Sequence, residues 1–118
     1  MPAIVHYAAQ ELGLTPQDLY TAALSLKVLM DCNDLLMELC RYNGSSMWTH
    51  EEWREFHTRR LPQWLRLFEE ALIRGHFGNE QVTFADIGLY ALFGNMIRYL
   101  PELEPDLHTH APGIHAHC

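Results

Sequence analysis

Apolar residues recur along this chain at helical spacing. Ala3, Ile4, Tyr7, Ala8 and Leu12 line one face of a first helix. Gly13 follows and predicts its stop. Leu14-Thr15-Pro16 then reads as a linker. Thr15 is the expected N-cap of a second helix, with Pro16 in its first position and Asp18 in its third. That helix is predicted from Pro16 to about Tyr42. Leu19, Ala22, Ala23, Leu26, Leu29, Met30, Leu36, Met37 and Cys40 are its expected buried side, and Asn43-Gly44-Ser45-Ser46 ends it.

Thr49 opens a third helix, with Glu52 three residues on as the second half of a capping box. Its apolar face runs through Trp53, Phe56, Leu61, Trp64, Leu65, Leu67, Phe68, Leu72 and Ile73. Pro62 lies inside it and predicts a kink or break near Arg60–Leu61, because proline lacks the amide and crowds the preceding turn. Gly75 ends this helix, and 76–80 is an expected loop.

The fourth helix has the clearest start. Thr83 is the expected N-cap, Asp86 the third-position carboxylate that reaches back to the Thr83 amide, and Val82 and Ile87 the two halves of a hydrophobic staple. These four residues are assigned to folding. The helix is predicted to run to about Leu100, where Pro101 closes it. Gly88 and Gly94 inside it each cost about 1 kcal/mol relative to Ala, which points to close contact with a neighbouring helix. The tail from Glu102 to Cys118 reads as a turn and one short helix. No run alternates with period two between turn residues, so no strand is predicted. The fold class is all-α, a helical bundle with short connections.

Composition narrows the function classes. The chain has 118 residues, enough for one domain with a buried core. Its formal net charge of −7 and the absence of a basic stripe argue against nucleic-acid binding. The longest apolar stretches, such as Ala22–Leu26, are far shorter than the roughly 20 residues of a membrane span, and no signal peptide is visible. Cys32, Cys40 and Cys118 form no disulfide framework, which makes the cytosol the expected compartment. Cys32 and Cys40 fall inside a helical pattern and read as small buried hydrophobes.

Three stretches, in this order and spacing, resemble the glutathione S-transferase family. Met1-Pro2-Ala3-Ile4-Val5-His6-Tyr7 resembles the start of the last helix of that family's thioredoxin-like N-terminal domain. Val82-Thr83-Phe84-Ala85-Asp86-Ile87 is similar to the capping box and staple of the central helix of its C-terminal domain. Pro112-Gly113-Ile114-His115-Ala116 resembles the stretch before that domain's closing helices. The resemblance implies that residues 1–15 are the remnant of the thioredoxin-like domain's last helix and a linker. Residues 16–118 would be the helical C-terminal domain, stopping before its last helix.

The family conjugates glutathione to electrophiles. Its N-terminal domain holds glutathione and stabilises the thiolate nucleophile. Its C-terminal domain supplies an apolar wall for the electrophile and half of a dimer interface. The resemblance therefore implies glutathione and a hydrophobic electrophile as partners, homodimer formation, and no catalytic residue or bound cofactor in this chain. In several classes of the family an Asp-Leu pair on the first helix of this domain reaches across the dimer to the glutathione amino group. Asp34-Leu35 matches that placement, and a carboxylate is the right group to face an ammonium. The plain alternative is a solvated surface carboxylate. Met37, Cys40 and Arg41, on the last turns of the same helix, are the candidates for the electrophile wall, with core packing as the alternative for Met37 and Cys40.

His108, His110, His115, His117 and Cys118 crowd the tail. Imidazole and thiolate are good zinc or nickel ligands, but their spacing fits no structural zinc pattern, so no metal is expected. A second function class stays open, a non-catalytic docking module of the same fold. Either way, a domain without its partner should expose the apolar face that the partner covers, and self-association is the expectation.

Overall fold

The computed structural model describes residues 2–41, 47–76 and 82–117. These form α1 (Pro2–Glu11), α2 (Leu19–Leu39), α3 (His50–Glu55), α4 (Leu61–Ile73), α5 (Phe84–Tyr99), α6 (Glu104–His110) and α7 (Pro112–His117). A π-helical segment, Phe56–Arg60, joins α3 to α4, and a 3₁₀ turn, Pro101–Leu103, joins α5 to α6. No strand occurs among the described residues, so the all-α class stands. The expected end of the second helix at Tyr42, its terminator Asn43–Ser46, most of the 76–80 loop and Cys118 lie outside the described residues.

The start of α2 differs from the sequence expectation. Leu19 opens the helix and Asp18, not Thr15, is the N-cap. The Asp18 carboxylate accepts from the Thr21 amide at 2.8 Å and the Thr21 hydroxyl at 2.9 Å. The charged carboxylate makes stronger bonds to these two donors than a neutral Thr15 hydroxyl would. The Thr21 amide, then its hydroxyl, hold the Asp18 pKa below the ordinary aspartate value.

The buried face of α2 also departs from the prediction. Ser25, Val28, Leu29, Cys32 and Leu35 are buried, whereas Leu19, Met30, Leu36 and Cys40 are exposed. The stripe 25, 28, 32, 35 sits on a different side of the cylinder from much of the expected set. The error came from counting every apolar residue toward one face, when the helix carries apolar residues around much of its circumference.

Thr49 caps α3, accepting from the Glu52 amide at 3.1 Å and donating its hydroxyl to the Glu52 carboxylate at 3.0 Å. Pro62 does not interrupt the chain. The turn before it widens into the π segment, and the helix continues. Widening relieves the crowding between the proline ring and the carbonyl four residues earlier. Phe56, Leu61, Leu65, Phe68 and Ala71 face the core along this composite helix, while Ile73 is exposed.

At the start of α5 the capping box has formed, and the Thr83 amide donates to Asp86 Oδ2 at 2.8 Å. The adjoining Phe84 amide donates to the Leu14 carbonyl at 3.0 Å. This ties α5 to the α1–α2 linker, over a small cluster of Ala9, Leu29 and Phe84. Val82 and Ile87 both remain largely exposed.

Gly88 is a point of close approach. A Cβ there would lie 2.9 Å from Leu29 Cδ1 of α2. Gly94 has no such role, since a Cβ would meet only the Tyr90 ring of its own helix at ordinary contact distance.

The tail is more ordered than the expected single short helix. Leu103, Leu107, Ala111 and Ile114 are fully buried in the main core with Leu35, Leu61, Leu65, Phe68, Leu89 and Phe93. Helices α6 and α7 pack on α4. The Glu69 carboxylate of α4 accepts from the Gly113 and Ile114 amides, both at 3.0 Å, and so caps α7.

Candidate functional site

A concavity lies between α2 and α5, with α1 at one end through Val5. Its volume is about 450 Å³, within the usual range for small-molecule sites. From α2 it takes Leu29, Cys32, Asn33, Leu36, Leu39 and Cys40. From α5 and the residue after it come Gly88, Ala91, Leu92, Asn95, Met96, Tyr99 and Leu100.

On each helix these positions form a stripe at three- and four-residue steps, running about 17 Å along the axis. Each stripe overlaps the one that builds the core, sharing Leu29 and Cys32 on α2 and Leu92 and Met96 on α5. Leu29 and Gly88 bring the helices closest at the α1 end. Toward the other end Leu36 and Tyr99 stand exposed on the groove walls.

The groove contains no charged side chain among the residues that line it. Its polar groups are two carboxamides, two thiols and the Tyr99 hydroxyl. Asn95 donates to the Ala91 carbonyl of its own helix at 2.7 Å. Asn33 is half-buried and makes no side-chain hydrogen bond among the described residues.

The residues assigned to an electrophile wall do not converge. Cys40 lines the groove. It is exposed rather than a buried hydrophobe, because α2 ends one residue before it. Met37 is half-buried away from the groove. Arg41 turns the other way. Its backbone has a positive φ of 51°, a left-handed conformation uncommon outside glycine. Its guanidinium stacks over the Trp48 ring at 4.5 Å and pairs with Glu52. Trp48 in turn donates to the Leu39 carbonyl at 2.9 Å. This aromatic lock at the end of α2, with Trp48, Trp53 and Phe56 in mutual contact, holds Arg41 off the groove.

Asp34 is exposed on α2, beside the fully buried Leu35, and does not line the groove. Two of the tail histidines, His115 and His117, and His57 before α4 pair with carboxylates, while the His108 ring packs edge-on against that of His115. His117 Nε2 lies 2.7 Å from Asp86 Oδ1, His57 Nε2 2.7 Å from Asp106 Oδ2, and His115 Nε2 3.1 Å from Glu104 Oε1. Among the described residues no three His, Cys, Asp or Glu side chains are placed to hold a metal. Among the described residues no helix is long and apolar enough to cross a membrane.

The order of helices, the capped start of α5 and the folded-back tail can be set beside known families. Residues 24–118 match the family model of the glutathione S-transferase C-terminal domain. The chain belongs to that family. No curated protein and no solved structure matched the chain. The match runs from within α2 through α7, so both walls of the groove and the tail that closes the core belong to the transferase-type domain. Sequence reasoning missed Asn33, Ala91, Asn95 and Tyr99. The signal that could have found them is the apolar stripe at helical spacing on each helix, which extends past the core positions and carries one Asn on each helix.

Proposed function

We propose that this chain forms the electrophile-binding wall of a glutathione transferase-type protein whose thiolate-stabilising residues lie in a separate thioredoxin-like domain. The α2–α5 groove carries this reading: it has the volume of a small-molecule site, walls of Leu, Met, Cys and Tyr, and no charge. Such a surface takes up an apolar electrophile by removing its area from water, at about 25 cal/mol per Å², and leaves the thiolate chemistry to the other domain. Asp34, on the open side of α2, is assigned to the glutathione amino group of a second subunit, which requires a homodimer.

The outward side of α1 supports a missing cover. Ile4, Tyr7 and Leu12 are about two-thirds exposed, and a helix buries an apolar face only against another element. The same observation favours the second reading, a docking module whose partner covers this face.

Titration with N-phenyl-1-naphthylamine, a neutral apolar fluorophore, and separately with glutathione tests the proposal. The expected result is saturable fluorophore binding that Ala91→Trp abolishes, with no glutathione binding by the chain alone. Fluorophore binding that Ala91→Trp leaves intact would remove the groove from the reading and leave the docking module. Saturable glutathione binding would overturn the division of labour between domains.

A further inference from the structure

We infer that the α2–α5 groove selects uncharged ligands that join an apolar body to a carbonyl group, that it rejects carboxylates of the same shape, and that Asn33 is the residue that reads the carbonyl. This deepens the reading of the groove as a ligand site and rests on it.

Charge argues first. None of the residues lining the groove carries a formal charge, and the chain as a whole carries −7. An anion entering would lose hydration without meeting a cation, which is costly in an apolar surround. The whole-molecule field adds repulsion. The nearest guanidinium on α5, Arg98, is 5.5 Å from the Tyr99 ring centroid and is absent from the groove lining. Arg41, which sequence spacing put beside Cys40, is held on Trp48 and Glu52.

Polarity within the groove argues second. The Asn95 amide nitrogen is engaged by the Ala91 carbonyl. Asn33 sits half-buried between Cys32 and the Leu36 turn, with both its amide hydrogens and its oxygen unengaged among the described residues. A half-buried carboxamide left to solvent can exchange its water for a ligand carbonyl that accepts from its NH₂. A plain hydrocarbon would leave it as it is. One placed polar group in an apolar cleft is the usual way such sites fix orientation.

The experiment is displacement of N-phenyl-1-naphthylamine at neutral pH by 2-nonanone, nonanoate and butylbenzene, with circular dichroism on every variant. The ketone should displace the fluorophore at least about tenfold more effectively than the carboxylate. Asn33→Leu, which keeps the apolar bulk and removes the amide, should weaken the ketone by about fivefold to tenfold and leave butylbenzene unchanged. Ala91→Trp should block all three.

Equal displacement by ketone and carboxylate, or an Asn33→Leu variant that binds the ketone as before, overturns the selectivity while the groove stands as a ligand site. No displacement by any compound, in a folded chain whose fluorophore signal ignores Ala91→Trp, overturns both. Self-association that Ala91→Trp abolishes, with no ligand bound, also overturns both and assigns the groove to a second copy of the chain.

Discussion

The α2–α5 groove and the C-terminal clamp on α4 share the same core but treat their surfaces in opposite ways. In the clamp, Leu103, Leu107, Ala111 and Ile114 are fully buried, and carboxylates from α4 and α5 meet α7 through Glu69 and Asp86. In the groove, Leu36 and Tyr99 are exposed and Asn33 has no partner among the described residues. The clamp is built to stay closed. The groove leaves apolar area and an amide open to solvent, where an entering ligand can take them up. Stability should therefore be concentrated in the clamp and ligand response in the groove.

The strongest test of that division is to open the clamp. Ile114→Ala removes a fully buried side chain under α4 and should cost about 2–5 kcal/mol, read by urea denaturation. A cost as small as that of a surface change would mean α7 is not part of the cooperative core. Gly113→Ala is subtler. A Cβ at 113 would lie 2.6 Å from Glu69 Oε1 and 3.1 Å from Leu72 Cδ2. The carboxylate must shift and give up its two amide hydrogens, at about 1.5–3 kcal/mol. Glu69→Ala should make Gly113→Ala much less costly, and additive effects in that double-mutant cycle would show that the two do not act together.

Asp86 joins the two systems, since one oxygen closes the α5 capping box and the other meets His117 of α7. Asp86→Ala should cost about 1–2 kcal/mol, and His117→Ala should cost less, because it spares the cap.

These contrasts were unequally legible in the sequence. Thr83 and Asp86 could be read because a capping box is local. Its residue types and spacing are the mechanism. Thr49 was legible as a cap for the same reason, although the Glu52 carboxylate takes the Thr49 hydroxyl and not its amide. Asp18 was misread because Thr15-Pro16 is an equally good local start, and only the Thr21 hydroxyl, a second donor to the Asp18 carboxylate, separates them. The clamp was read as a turn and one helix because its four core residues are spread over three short elements, each below the length at which periodicity speaks. The groove was illegible for a different reason. It exists only where two helices far apart in sequence, one ending at Leu39 and the other starting at Phe84, meet, and Arg41 leaves it through a backbone conformation that its residue type does not announce.

A smaller effect belongs to the start of α2. The Asp18 pKa is lowered by its bonds to Thr21. A depressed carboxylate contributes stability above its unfolded pKa and loses it as pH falls through the folded value. The cap should therefore hold at neutral pH and weaken on acidification below the ordinary aspartate range. Asp18→Asn, an uncharged cap, should flatten that part of the helix-content profile read by circular dichroism. An unchanged profile would show that other carboxylates set it.

The smallest stability effect should come from the groove itself, and it tests the comparison most directly. Leu36→Ser replaces a half-exposed side chain on the groove wall. It leaves the buried stripe of Val28, Cys32 and Leu35 untouched, so unfolding free energy should change by no more than about 0.5 kcal/mol. The same change removes apolar area from a surface whose neighbours include Tyr99 and Ala91. Contiguous patches of that kind drive association. Sedimentation velocity across micromolar concentrations should therefore show less self-association in Leu36→Ser than in the parent chain. Ile4→Ser on α1 would report separately on the second exposed face. If Leu36→Ser lowers stability as the clamp variants do, the groove wall is part of the cooperative core, and the separation between a closed half and a responsive half fails.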